Sequence, residues 1–473
     1  MKHISNYIML LLLFWGLLSG ACNKLVEIGE PVNTITTEQV FTTDANASAA
    51  VAQIYSDMVV GSQGGGFSIG NGLLTAFTGL SSDELNCFTS DPEILQIQDN
   101  AIIATNSSFY SRVWSAAYTD IYYANVVIEG LQASTSVSDS LKRKLTGEAK
   151  FIRAFFYFYL VNLFGDVPLV TSSSWAKTNL MQRTPVSNVY DQIVKDLVDA
   201  KPSLPVDYSA TGGERIRPNK YAAATLLSRV YLYKEKWLEA ENEATDVLNN
   251  SALYKLAASP AGVFGKNNTE SIWQLSISNT ISPYTVLEGN QFLPANNTAS
   301  PTYYLTAQLL AEFEKGDLRK QAWLNSTNYP SGSSSIYYYP YKYTVRRGTV
   351  NGTVSQYYTI FRLAELFLIR AESRAYQGKL TDAAADVDTL RHRSGLVSIT
   401  AASQSELLSA IAHERKVELF AEWGHRWMDL KRTKMADIVL SSIKPRWKTT
   451  QQLYPIPVQE IQTNPNLTQN PGY

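Results

Sequence analysis

The sequence predicts a mainly α protein in which paired helices support a loop-rich half carrying a few short strands. Three observations lead there. In the stretch 147–164, Ile152, Phe155, Phe156, Tyr159, Leu160 and Leu163 recur at the three-and-four spacing of one helix face, while Phe158 and Val161 fill the opposite side. Two separated blocks, 224–247 and 367–390, share an alternation of small and large residues. From 253 to 358 that periodicity gives way to Tyr, Asn, Ser, Thr, Gly and Pro.

The N-terminus reads as an export signal over residues 1–21. Lys2 and His3 head an apolar run at 8–18, and Ser19, Gly20 and Ala21 precede Cys22. That run is about half of the roughly 20 residues a membrane span needs. Cleavage before Cys22 and acylation of its thiol would make a lipid-anchored chain, although Ser19 stands where the usual motif has Leu. Cys22 and Cys87 are the only cysteines. An acylated Cys22 therefore leaves no internal disulfide, and Cys87 is expected as a small buried hydrophobe. Residues 22–43, polar and threonine-rich, form a tether, and 44–473 a single domain.

Asp44 is placed as the cap of a helix to Val59 with Ala47, Val51, Ile54, Tyr55 and Met58 inward. Gly64, Gly65 and Gly66 lie in an unperiodic loop, and residues 81–86 put Asp83 and Glu84 on another. A helix over 109–131 turns Val113, Ala117, Ile121, Ala124, Val127 and Ile128 inward. The helix over 147–164 is buried nearly all round, so its charges Glu148, Lys150 and Arg153 are expected to be paired. Gly165 and Pro168 stop it. Ser187 is placed as the cap of a helix bearing Tyr190, Ile193, Val194 and Leu197, which Pro202 and Pro205 end. Pro218 opens the next.

Ala224, Leu227, Ser228, Tyr231, Trp237, Ala240, Ala244 and Val247 approximate a tetratricopeptide helix pair, in which small residues let antiparallel helices approach. Phe367, Ala371, Gly378, Leu380, Ala383, Val387 and Leu390 form a second copy. Their separation excludes a simple tandem solenoid, so a long insertion interrupts the stack. Within that insertion, 272–277 alternates like a strand, and its aromatic density argues against disorder. A final helical block spans 406–432, and a proline-rich tail from Leu453 to Tyr473 packs as an extended strap.

Composition narrows the function. Lys and Arg number 41 against 42 Asp and Glu, which leaves no electrostatic footprint for nucleic acid. His413 and His425 stand twelve apart, roughly 120° around a helix, and no HExxH or clustered Cys/His spacing occurs, so neither a metal site nor a cofactor is expected. Glu414, Glu418 and Glu422 form an i, i+4 stripe, but Arg415 and Arg426 lie at salt-bridge spacing, and a structural face is the expectation. No GxSxG elbow and no local carboxylate pair proposes catalysis.

The 28 tyrosines and 9 tryptophans are the unusual figure. Such side chains stack on the C–H faces of a pyranose while hydrogen-bonding at their edges. Three readings stay open: a non-catalytic receptor for oligosaccharides, a helical scaffold for peptide or protein, and a glycan-cleaving enzyme. The first predicts an aromatic surface on the loops, the second a groove along the helices, the third two facing acids.

The blocks GEAKFIRAFFYFYLVNLFGDVPLV (147–170), RPNKYAAATLLSRVYLYKEKWLEA (217–240), RLAELFLIRAESRAYQG (362–378), ERKVELFAEWGHRWMDLKR (414–432) and YPIPVQEIQTNPNLTQNPGY (454–473) resemble the SusD/RagB family. The resemblance implies a SusD-like fold with four tetratricopeptide-like helix pairs and a non-catalytic lipoprotein on the outer surface of a Bacteroidetes outer membrane. It also implies that the chain passes glycans, or in some members peptides, to a SusC-like TonB-dependent transporter. These blocks are scaffold and fix no ligand site. By region, the candidate ligand contacts are Asp83, Phe88, Tyr284, Phe292, Tyr303 and Tyr338, with Trp273 and Trp323 left out as structural and Cys22 as the lipidation site.

Overall fold

The computed structural model describes residues 40–61, 69–277, 285–349 and 352–473. Cys22, the signal segment, most of the tether and Gly64–Gly66 lie outside them. The longer helices are α1 (Asp44–Val60), α2 (Leu73–Ser81), α3 (Ser115–Ala133), α4 (Asp139–Phe164), α5 (Val186–Ala200), α6 (Lys220–Tyr233), α7 (Trp237–Leu248), α8 (Leu363–Tyr376), α9 (Leu380–Arg393), α10 (Gln404–Glu418) and α11 (His425–Arg432). Among the described residues six short strands, β1 (Leu85–Cys87), β2 (Ser271–Leu275), β3 (Tyr303–Leu305), β4 (Leu324–Asn328), β5 (Ile336–Pro340) and β6 (Tyr358–Arg362), pair antiparallel as β1–β3, β2–β6 and β4–β5.

Helix α4 is the axis of the molecule, and every residue from Phe151 to Val161 is buried. The charges Glu148, Lys150 and Arg153 beside its aromatics are all paired. Glu148 accepts from Arg217 and from the Tyr55 hydroxyl, each at 2.9 Å. Arg153 makes a bidentate bond to Asp196 at 2.8 and 2.7 Å, and Lys150 reaches Asp199 at 2.8 Å. The helix stops at Gly165, whose φ of 75° and lack of a Cβ both matter, because a Cβ there would meet the Leu453 side chain at 2.9 Å. The carbonyls freed at this end are taken up from afar. Tyr454 N donates to Leu163 O at 2.9 Å, Asn470 Nδ2 to Phe164 O at 2.8 Å, and Lys431 Nζ to Asn162 O. The C-terminal strap is thus the cap of the core helix.

Helices α3, α4 and α5 pack in succession, α6 pairs with α7, and α8 pairs with α9. Helix α7 lies directly against α8, so the two small-large blocks are neighbours in space. The insertion between them leaves and re-enters through β2 and β6, which are paired with each other and wholly buried. Trp273 on β2 packs its edge into Phe151 and Phe155, with centroids 5.0 and 5.4 Å away.

Several boundaries differ from the sequence reading. Thr43, not Asp44, caps α1, and the Asp44 carboxylate instead accepts from Ser138 N and Oγ, both at 2.8 Å, at the mouth of α4. The first turn of α5 is capped by Asp166, which accepts from Val186 N at 2.9 Å, rather than by Ser187. Asn219, after Pro218, caps α6. The helix expected from 109 begins with Ser107–Phe109 and a π-helical segment, Tyr110–Trp114, before α3. The block 406–432 is two helices, because Ala421, Trp423 and Gly424 all take positive φ between Glu418 and His425.

Candidate functional site

The insertion is built of short paired strands, and strand parity decides which of its aromatics reach the surface. In β1, Leu85 and Cys87 point inward while Asn86 points out. Register sets Asn86 opposite Tyr304 and Cys87 opposite Tyr303. Asn86, Phe88 and Tyr304 therefore share the outer face. The β4–β5 hairpin sets Thr327 opposite Tyr337, and Tyr329 follows β4 on the same parity.

These two ribbons bring four partly exposed rings together. Phe88 lies 4.8 Å from Tyr304, 4.8 Å from Tyr337 and 5.5 Å from Tyr329, between ring centroids. Tyr304 and Tyr337 close the group at 5.0 Å. The arrangement is largely edge-to-face, the geometry in which aromatic rings hold one another in place. Burial, with Tyr337 nearby, raises the Tyr304 pKa, so its hydroxyl stays protonated at neutral pH. The Asn86 amide, on the Tyr304 face, has no hydrogen-bond partner among the described residues. Flat apolar faces rimmed by hydroxyl and amide groups suit a ring-shaped ligand with one apolar face and polar edges.

The shelf stands on a charged foundation. Asp83 accepts from Arg426 at 2.7 and 2.8 Å and pairs with Lys416 at 2.9 Å. Burial alone would raise its pKa, but the two cations outweigh burial and hold it at about 2. Beside it, Glu84 is pushed up to about 8 by burial and by the Asp83 charge. Thr306 donates to Asp83 O and Glu84 O at 2.6 and 2.9 Å, which ties β3 to the same base.

Further along, Glu418 accepts from Arg319, Arg362 and Arg393 at 2.9, 2.6 and 2.5 Å. Glu414 pairs with Arg319 and Glu422 with Arg362 and Lys342. The acidic stripe is structural, as its spacing suggested, but its partners are tertiary. Arg415 instead holds Asp429, and Arg426 holds Asp83. Because Arg319 and Lys342 come from the insertion, this buried network fastens the loop-rich half to α10. Among the described residues, no group of three or more His, Cys, Asp or Glu is placed to hold a metal ion.

Two family models match the chain. One, described as starch-binding and associating with the outer membrane, covers residues 41–232, and that of the SusD family covers 296–473. The chain belongs to the SusD/RagB family. SusD-like protein P2 of Formosa agariphila is 28% identical over 100% of both chains. A laminarin-binding SusD-like protein superposes with a TM-score of 0.76 at 26% identity, over 92% of this chain and 100% of that one. A SusD superfamily protein of Bacteroides vulgatus, at 20% identity and a TM-score of 0.79 over 91% and 99% of the two chains, shares the fold.

On this SusD-like frame the sequence-selected residues separate. Phe88 is at the centre of the shelf, and Tyr338, one residue from Tyr337, is partly buried against the core. Three placements are corrected. Asp83 is interior because its two cations are, and Tyr303 faces inward because Tyr304 takes the outer parity. Phe292 packs under the shelf against Tyr303 at 5.8 Å. Tyr284 lies outside the described residues. Trp273 and Trp323, set aside as structural, are 0% and 1% exposed. The sequence reading missed Tyr304, Tyr329 and Tyr337, although the alternation Leu85, Cys87 against Asn86, Phe88 carried the parity that selects Tyr304.

Proposed function

We propose that this chain is a non-catalytic, cell-surface glycan-binding lipoprotein, anchored to the outer membrane through Cys22. It captures oligosaccharides and delivers them to a SusC-like TonB-dependent transporter. The observation that carries this reading is the four-ring shelf that the insertion forms with the β1 edge of a SusD-like frame. A family model described as starch-binding and a laminarin-binding structural relative support it. Phe88, Tyr304, Tyr329 and Tyr337 supply stacking faces, and Asn86 binds a sugar hydroxyl. Each ring that covers about 100 Å² of sugar C–H face contributes roughly 2–3 kcal/mol before ordering costs. Two or three such contacts give millimolar to micromolar affinity, on the order of 4–8 kcal/mol, suited to capture and release.

Catalysis by facing acids finds no support at the shelf. The adjacent carboxylates Asp83 and Glu84 are 2% exposed and bonded inward. The test is retention of the mature protein by soluble polysaccharides in native gels, followed by calorimetry, with a casein digest as peptide control. Retention by one glycan class, lost in Phe88→Ala and Tyr337→Ala, is the expected result. Binding of peptide alone would overturn the glycan reading.

A further inference from the structure

A second concave surface lies away from the shelf, between α3, the crossing at 168–180 and the C-terminal tail. It encloses about 410 Å³, within the range of small-ligand sites. Its wall carries Trp175, Tyr118 and Tyr122, and its edge Thr119, Asn179 and Glu460. None of the shelf residues lines it.

Two features separate this cleft from an ordinary surface depression. Of the described tryptophans Trp175 alone is exposed, at 75%, on the one-turn helix Trp175–Thr178. The other described tryptophans are buried or partly buried. Glu460 is a partly buried carboxylate with no Lys or Arg at ion-pair distance among the described residues, while most acids in this chain's interior are matched by one. Its near neighbour is the Trp114 indole N–H, and burial raises its pKa. Asn179 and Thr119 likewise have side-chain polar atoms with no partner among the described residues. The tail segment that supplies Glu460 is fixed to the crossing, since Asn464 and Asn466 donate to Met181 O and Leu180 O, both at 2.8 Å.

We infer that this cleft is a second saccharide subsite, in which Trp175 stacks on a sugar ring and Glu460 and Asn179 bind its hydroxyls. The inference rests on the glycan-binding reading. A carboxylate without a cation takes paired hydroxyl donors through both oxygens, an amide offers donor and acceptor to the next hydroxyl, and an uncovered indole gives the flat apolar platform a pyranose face requires. Two subsites on one chain raise the affinity for a polymer long enough to reach both, without strengthening either.

The test uses the mature protein labelled with 5-fluorotryptophan, the Trp175 ¹⁹F resonance being assigned with Trp175→Phe. It is titrated with hexasaccharides of laminarin, starch, xylan, mannan and pectin, in the wild type and in a Phe88→Ala/Tyr337→Ala variant, with calorimetry in parallel. The expected result is a saturable shift of the Trp175 resonance that persists in the shelf variant. Trp175→Ala should also weaken binding of the parent polysaccharide by about tenfold or more. A hexasaccharide that binds by calorimetry while the Trp175 resonance stays still overturns the second subsite and leaves the glycan reading standing. Absence of any calorimetric binding across the five overturns both.

Discussion

Arg229 and Glu365 form a bidentate ion pair at 2.5 and 2.7 Å with both side chains almost wholly out of solvent, although 136 residues separate them. Arg229 sits on α6 and Glu365 on α8, so the pair bolts one small-large helix block to the other across the insertion. The Tyr159 hydroxyl accepts from the same guanidinium at 3.2 Å and adds α4 to the joint. Removing one partner strands the other charge. Arg229→Met should cost about 3–5 kcal/mol in urea unfolding, and Arg229→Met combined with Glu365→Leu should recover most of it. Equal losses in the single and double variants would contradict this account.

The acids under the shelf set a pH dependence. Glu84 has its pKa raised to about 8 by burial, so its contribution is fully present below the ordinary carboxylate value and is lost as the pH rises toward 8. Asp83 behaves oppositely, its contribution being complete above its ordinary value and lost only as the pH falls toward 2. Between pH 5 and 8 the Glu84 effect therefore stands alone in this pair. Glu84→Gln should stabilise the protein at pH 8 relative to wild type by on the order of 3 kcal/mol, and change it little at pH 5. Melting curves at the two pH values check it.

A shelf ring and the side chain packed beneath it should fail in different ways. Tyr304→Ala removes a partly exposed ring and should weaken glycan binding about tenfold or more with little change in melting temperature. Phe292→Ala opens a hole beneath the shelf and should cost about 3–5 kcal/mol of stability. Calorimetry well below the melting temperature, alongside thermal unfolding, separates the two.

At the end of α4, Asn470→Ala removes a buried amide that donates to Phe164 O and Tyr454 O at 2.8 and 2.7 Å. A loss of about 1–3 kcal/mol is expected. Hydrogen exchange should speed up at the Tyr454 amide, which donates to Leu163 O. A stability change without local exchange would show that the strap does not cap the helix.

Much of the frame was legible because it rests on local periodicity. The all-round burial of 147–164 and the stop at Gly165 are properties of a few adjacent side chains. The paired helices showed themselves through small residues at fixed spacing. Cap assignments failed where the capping group came from elsewhere, as when Asp166 takes the first turn of α5 or Asp44 serves α4 instead of its own helix. The shelf was legible only as a region. Which of Tyr303 and Tyr304 faces out depends on strand parity and register with β1, more than two hundred residues earlier in the chain. Local hydropathy treats those two tyrosines alike.

The paired neck of β2 and β6 gives the chain a seam. Everything between 275 and 358 departs from and returns to one spot on the helical frame, so a hairpin there can lengthen, shorten or change its aromatics without shifting α7 against α8. What must travel with any transplant is Arg319 and Lys342, whose partners Glu414, Glu418 and Glu422 stay behind on the frame. Grafted with those two anchors and with the β1 edge that carries Asn86 and Phe88, the loops of one relative should be readable as the specificity of another.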